Sequence, residues 1–186
     1  PCPDIPGLTV LPATIDLAGA EIELVSLVAR ETRLDKALQA YLQDCEAAGD
    51  RIDYVLIDCP PSLGLLTVNA MVAGREVLIP IQSEYYALEG LGQLVRNISL
   101  IQKHLNPTLE ITTILLTMYD ARTRLSAGVA DEVRAYFGDK VLNTVIPRSV
   151  RVSEAPSYQQ TVLTYDQTSS GALSYLEAAR EITGKG

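Results

Sequence analysis

The sequence predicts an α/β fold, a doubly wound and mostly parallel sheet with helices on both faces. Two observations carry that expectation. Short apolar runs recur at 8–11, 54–57, 77–81, 111–116 and 141–146, without clean alternation between apolar and polar residues. Strands covered on both faces read this way, and such strands belong to parallel sheets. Between the runs lie stretches with the 3.6-residue period of amphipathic helices, and strand–helix alternation of this kind marks an open α/β sheet.

Taken in order, the run at 8–11 is the first expected strand. Leu34, Leu38, Leu42 and Cys45 then keep one helical face, with Gly49 as a stop. Tyr54, Val55, Leu56 and Ile57 form the next expected strand, which delivers one carboxylate, Asp58, before Pro60 and Pro61 forbid continuation. After the run at 77–81, Leu88, Leu91, Leu94, Val95, Ile98 and Ile101 follow a helical period that ends before Asn106-Pro107. Ser126 is an expected cap for a helix carrying Val129, Val133 and Phe137, closed by Gly138. Ser169 or Ser170 opens a last helix bearing Leu173, Leu176 and Ile182, closed by Gly184. With no internal repeat, low-complexity tract or linker, residues 1–186 read as one domain.

Composition narrows the function classes. The apolar fraction is 47%, with one Phe and no Trp, so the core is aliphatic. No stretch resembles a signal peptide or an 18-residue apolar span, which makes a cytoplasmic protein the expectation. Cys2, Cys45 and Cys59 lie far apart without a C-x-x-C pair, against a disulfide framework or a zinc or iron–sulfur site. The one histidine, His104, falls at the polar end of a helix, a poor place for a hydrolase base. Net charge is −8 but unevenly spread. Residues 1–58 hold 4 basic and 11 acidic groups, while residues 120–151 hold 6 basic and 4 acidic. Local patches govern phosphate binding more than the total does. Arg122, Arg124, Arg148 and Arg151 sit at or beside predicted loops, from which long side chains reach a phosphate backbone.

Ligands of open α/β sheets gather at the carboxyl ends of the strands. Those ends are Asp58-Cys59-Pro60-Pro61, Gln82-Ser83-Glu84, Thr117-Met118-Tyr119-Asp120 and Pro147-Arg148. Asp58 is suited to Mg²⁺ held through water, because that ion keeps much of its hydration shell. Gln82 and Glu84 are placed to orient water, and Met118 and Pro147 offer apolar faces to a purine. The 186 residues contain no Gly-x-x-x-x-Gly-Lys-Ser/Thr phosphate loop.

These same stretches resemble the ParA/Soj-type chromosome and plasmid partition ATPases, a branch of the MinD-like deviant-Walker NTPases. The resemblance covers nearly the whole sequence. It is carried by Leu11-Pro12-Ala13-Thr14 leading to Leu17-Ala18-Gly19-Ala20-Glu21, by residues 54–64, and by Ile79-Pro80-Ile81-Gln82-Ser83-Glu84-Tyr85-Tyr86-Ala87-Leu88-Glu89-Gly90. It continues through Leu115-Leu116-Thr117-Met118-Tyr119-Asp120-Ala121-Arg122-Thr123 and residues 145–157. What the resemblance implies is an ATP- and Mg²⁺-dependent homodimer, cytoplasmic and nucleoid-associated. It would bind DNA non-specifically and be stimulated by a ParB-type centromere-binding protein. Asp58 would be the Walker B carboxylate, Met118, Asp120 and Pro147 would lie around the adenine, and Arg122 and Arg151 would face DNA.

Such proteins open with a Lys-Gly-Gly-x-Gly-Lys-Thr/Ser loop and a second strand ending in acidic residues, and neither is present in these residues. The expectation is therefore a partial nucleotide-binding domain, short of about two strand–helix units of ~30 residues each. Alone it is expected to lack ATPase activity and to be oligomeric, aggregating or partly ordered. Three other readings compete. One is a non-enzymatic relative that keeps a DNA or protein interface without ATP. A MinD-like membrane ATPase needs a basic amphipathic tail, yet only Lys185 follows the last helix. An ATP-dependent amidase or ligase of similar fold fits the Arg122 and Arg151 segments less well.

Overall fold

Three of the five apolar runs fold as strands. β1 (Glu76–Gln82), β2 (Glu110–Tyr119) and β3 (Val141–Pro147) form one parallel sheet in the order β1-β2-β3. The computed structural model describes residues 2, 5–60 and 62–184, in two compact units that divide between Gly74 and Arg75.

The first unit is helical. α1 (Asp16–Val25) and α2 (Arg33–Ala47) are joined by a short 3₁₀ turn, Arg30–Thr32, and α3 (Leu65–Ala73) follows the proline-rich segment. α2 ends at Gly49, whose φ of +78° is left-handed backbone that a Cβ would strain. Asn69, nearly sealed from solvent, ties the unit together. Its Oδ1 accepts from the Leu34 amide at 3.1 Å, and its Nδ2 donates to the Arg30 and Leu65 carbonyls at 2.9 Å each. Glu21 Oε1 accepts from the Leu65 amide at 2.9 Å, placing a carboxylate at the amino end of α3 where the helix dipole favours it.

Two expected strands are not formed. Residues 8–11 and 54–57 lie outside any strand, with Leu11 at 88% and Leu56 at 90% exposure. A strand exists only through its ladder, and among the described residues neither segment enters one. Apolar, β-favouring composition is not sufficient without a partner. Pro61, the second of the expected strand breakers, lies outside the described residues.

The second unit holds the sheet. α4 (Tyr85–His104) joins β1 to β2, and α5 (Arg124–Phe137) joins β2 to β3. Beyond β3 come two short helices, α6 (Val150–Glu154) and α7 (Val162–Tyr165), and then α8 (Ser170–Thr183). Thr113, Ile114, Leu115 and Leu116 of β2 are all buried, as a central strand covered on both faces requires. Leu115 joins Leu142, Ile146 and Ala178 of α8 in one cluster, with Ile182 packed against it. Ile114 and Leu116 point the opposite way and are sealed from solvent, and α4 and α5 pack with the sheet and with each other. The doubly wound expectation therefore holds for this sheet.

The helix caps differ in one respect from expectation. Thr123, not Ser126, caps α5, its Oγ1 accepting from the Ser126 amide at 3.3 Å. Ser126 is instead buried on the inward face of the helix. α5 closes at Gly138 with φ of +56°. Ser169 caps α8 as expected, accepting from the Ala172 amide at 3.3 Å.

Candidate functional site

The carboxyl ends of the three strands are tied to one another by their own backbone. The Ser83 amide donates to the Thr117 carbonyl at 3.0 Å, and the Arg148 amide donates to the Tyr119 carbonyl at 2.9 Å. These bonds continue the ladders one residue past β1 and β3, so Gln82 to Glu84, Thr117 to Asp120 and Pro147 to Arg148 form one continuous rim.

Two serines lock the rim from below. Ser126 Oγ donates to the Ser83 carbonyl at 3.2 Å and accepts from the Asp120 amide at 3.4 Å. Ser83 Oγ donates to the Thr117 carbonyl at 3.2 Å. Sequence reasoning placed Ser83 at a strand end but gave it no locking role, and it read Ser126 only as a helix cap. The available signal was position: Ser126 shares the helical face of Val129, Ala130 and Val133, so its hydroxyl had to point inward.

Met118 carries a φ of +53° near the end of β2. A non-glycine residue in the left-handed region costs energy and persists only where its surroundings enforce it, which is common at ligand sites. Two residues later Asp120 turns back on Arg122. Oδ1 accepts from the Arg122 amide at 3.0 Å and from Nε at 2.9 Å, and Oδ2 accepts from Nη2 at 2.8 Å. The fork of the Arg122 side chain, then its amide, hold the Asp120 carboxyl at about 2, with the Arg148 charge adding to the effect. The carboxylate is 18% exposed and the guanidinium 86%, so the pair hangs outward from a rooted acid.

Arg148 Nη2 meets Glu84 Oε1 at 2.6 Å, joining the ends of β3 and β1 across the rim. Gln82 and Glu84 also line an open cavity of about 330 Å³ along β1 and the start of α4, with Tyr86, Leu91 and Leu94. Met118, Asp120 and Pro147 do not line it. They share instead the far side of the rim, where Tyr119 and Pro147 are ladder partners.

Arg151 lies on α6, just past the rim. Its Nη1 is 3.3 Å from Glu154 Oε2 and its Nε 3.4 Å from Asp166 Oδ2. The Tyr165 hydroxyl, then the charges of Glu154 and Asp166, raise its already high pKa further. Arg124 opens α5, exposed, and carries no ion pair among the described residues. Three of the four arginines expected to face DNA are thus engaged by carboxylates of the chain itself.

Asp58 belongs to the first unit, in the exposed segment without regular structure, and makes no hydrogen bond or ion pair among the described residues. No group of three or more His, Cys, Asp or Glu suited to a metal occurs among those residues. A lone carboxylate fits Mg²⁺ only in the manner of nucleotide sites, where phosphates and water supply the other ligands. No helix among the described residues is long and apolar enough to cross a membrane. Lys185, the base expected after the last helix, lies outside them.

Comparison with known proteins follows the same stretches. Residues 3–111 match the AAA domain family AAA_31. The sporulation initiation inhibitor protein Soj of Bacillus subtilis is 55% identical over 182 residues, which are 98% of this chain and 69% of that protein. The chromosome partitioning protein ParA of Caulobacter vibrioides is 53% identical over 98% of this chain and 66% of its own length. The chain thus spans about two thirds of these relatives. Among solved structures, a cobyrinic acid a,c-diamide synthase from Mycobacterium smegmatis with bound ADP and magnesium superposes with a TM-score of 0.65 and 43% identity. That match covers 75% of this chain and 54% of that one.

Proposed function

The chain belongs to the Soj/ParA family of chromosome-partitioning ATPases, and from that premise we propose that it is the part of a partition ATPase that presents the base side of the nucleotide and the DNA surface. Residues 1–186 are taken as one partial nucleotide-binding domain of a homodimer. It acts with a ParB-type partner on non-specific DNA, in the cytoplasm at the nucleoid. The observation that carries the reading is the continuous rim of strand ends, built from stretches shared with relatives of that function over 98% of the chain.

Each candidate residue has a role in this reading. Met118 and Pro147 supply apolar faces for the adenine, and Asp120 supplies an acceptor at its edge. Gln82 and Glu84 order water beside the phosphates. Asp58 holds magnesium through water. Magnesium, when bound, neutralises phosphate charge. Arg122, Arg124, Arg148 and Arg151 meet the DNA backbone, which makes binding sequence-independent and steeply salt-dependent.

These 186 residues contain no phosphate-cradling loop, and phosphoryl transfer depends on charge stabilisation that such a loop provides. The chain by itself is therefore expected to show no ATP turnover above background. Its test is a titration with mixed-sequence duplex DNA over a range of salt, with Arg122→Glu and Arg151→Glu alongside. Both charge reversals should weaken binding on every sequence and flatten the salt slope. Wild-type affinity in both variants at low and moderate salt would refute the DNA role. ATP turnover equal to that of a full-length relative would refute the expected inactivity. A non-enzymatic relative without ATP is the second reading. Magnesium-dependent binding of a fluorescent ATP analogue, abolished by Asp58→Ala, would exclude it.

A further inference from the structure

The arginines expected to face DNA come with their own counter-charges. Arg122 is held by Asp120, Arg148 by Glu84, and Arg151 by both Glu154 and Asp166. With Arg124 added, four positive charges stand among four negative ones, so the folded surface is neutral where the sequence promised a basic patch. The three clusters are not equal. Arg122 makes contacts of 2.8 and 2.9 Å, and Arg148 one of 2.6 Å, within or shorter than the range of strong charge-assisted bonds. Arg151 reaches its two carboxylates through single contacts of 3.3 and 3.4 Å, with the Tyr165 hydroxyl beside it. Its cluster is net negative and its bonds are the longest of the set.

Of the two carboxylates around Arg151, that of Asp166 is fixed more firmly than the arginine is. Asp166 Oδ1 accepts from the Thr168 hydroxyl at 3.2 Å, and the Asp166 carbonyl accepts from Ser169 Oγ at 2.7 Å and its amide at 3.1 Å. Ser169 in turn caps α8. Glu154 Oε2 accepts from the Tyr165 hydroxyl at 3.4 Å, and the Tyr165 ring stacks on Tyr158 with centroids 4.9 Å apart. Asp166 is anchored to a helix start and 30% exposed, and Glu154 contacts an aromatic pair, while the Arg151 side chain is 55% exposed. A phosphate offers Arg a bidentate partner at a shorter distance, and the two acids repel that phosphate as it arrives.

Resting on the DNA reading above, we propose that Asp166 and Glu154 restrain Arg151, so that DNA affinity is set by how readily a phosphate displaces this internal carboxylate pair. The restraint is a regulatory element. Any event that draws Asp166 away, such as movement of the 155–169 segment on docking of a partner, releases a binding cation without a new contact to DNA.

The test uses the chain with a mixed-sequence DNA duplex, followed by fluorescence anisotropy over a series of salt concentrations. Asp166→Asn should bind roughly two- to fivefold tighter than wild type, the range expected for loss of one exposed ion pair. Its log–log salt slope should steepen by up to ~0.9, one further phosphate neutralised. Glu154→Gln, which leaves the α8 cap untouched, should shift affinity in the same direction. The gain must vanish when Arg151→Ala is added to Asp166→Asn. A gain that survives in that double variant would overturn the proposal, since it would reflect net charge alone. No gain in either single variant, with Arg151→Ala still weakening binding, would also overturn it while leaving the DNA reading intact. If Arg151→Ala bound as wild type, the proposal would fall, and the DNA reading would fall with it only if Arg122→Glu also bound as wild type.

Discussion

β2 and the stretch at 54–57 are built from the same kind of residues, yet Ile114 and Leu116 are sealed from solvent while Leu56 keeps 90% of its surface exposed. β2 has a strand on each side, and its ladders carry its apolar residues into a core that α8 completes. Residues 54–57 have no ladder among the described residues. Burial follows pairing, because an unpaired backbone cannot leave water without losing its hydrogen bonds. The difference bears on function. The polar groups that end β1, β2 and β3 are held in a rim by backbone bonds, whereas Asp58, at the end of the unpaired run, is held by nothing comparable among the described residues.

The sharpest way to break the comparison is to truncate one residue on each side of it. Leu142→Ala, at a fully buried position facing Leu115, should cost about 2–5 kcal/mol of stability. Leu56→Ala should change it by about 0.5 kcal/mol or less, as for exposed positions generally. Urea denaturation of both variants checks this, and equal losses would mean that 54–57 is buried in solution.

The second prediction concerns the outer edge of β3. The ladder between β2 and β3 slips after the Ile114–Val141 pair and resumes at Leu116 with Val145. The amides freed at this bulge donate to Glu181 of α8, Asn143 at 2.7 Å and Thr144 at 3.0 Å. An occupied carboxylate blunts an edge that would otherwise template association. Glu181→Ala should cost about 1–3 kcal/mol and promote self-association, read by denaturation and light scattering together. Glu181→Gln should recover part of the loss. β1, which has no outer neighbour among the described residues, guards that edge differently. Ser83 turns its amide to β2, so residues of opposite parity face outward, and Pro80 among them has no N–H to offer.

A smaller effect is expected at the caps that hold the covering helices. Thr123→Ala and Ser169→Ala should each cost ~0.5–2 kcal/mol through loss of one accepted amide bond.

Much of this was legible in the sequence, and the residues show why. Periods at 88–101 and 34–45 became α4 and α2, and the runs at 77–81, 111–116 and 141–146 became β1 to β3, because local pattern and tertiary context agree there. The rim residues followed from the rule that ligands meet strand ends. The runs at 8–11 and 54–57 were misread, since composition reports that a strand is possible and says nothing of whether an edge is available to it. Counter-charges were illegible for a related reason. Glu84 and Arg148 are 64 positions apart, and Arg151 and Asp166 meet only once α6 and α7 are folded. The four arginines expected to face DNA therefore stand among an equal number of carboxylates.

The smallest predicted effect is a titration. The Asp120 carboxyl lies at about 2, below its ordinary value, so its pairing with Arg122 contributes above the unfolded value of ~3.9 and is lost as pH falls toward 2. Carboxyl carbon shifts should show Asp120 still ionised near pH 4. Arg122→Ala should return it toward the ordinary range.

The account rests on pairing as the cause of burial, and amide hydrogen exchange tests that claim directly. Ile114, Leu115 and Leu116 should exchange only through global unfolding, and Val55, Leu56 and Ile57 at rates near those of an unfolded peptide. Strong protection at Val55, Leu56 and Ile57 in a monodisperse monomer would show that the segment had found a strand partner, and the contrast between the two runs would fail.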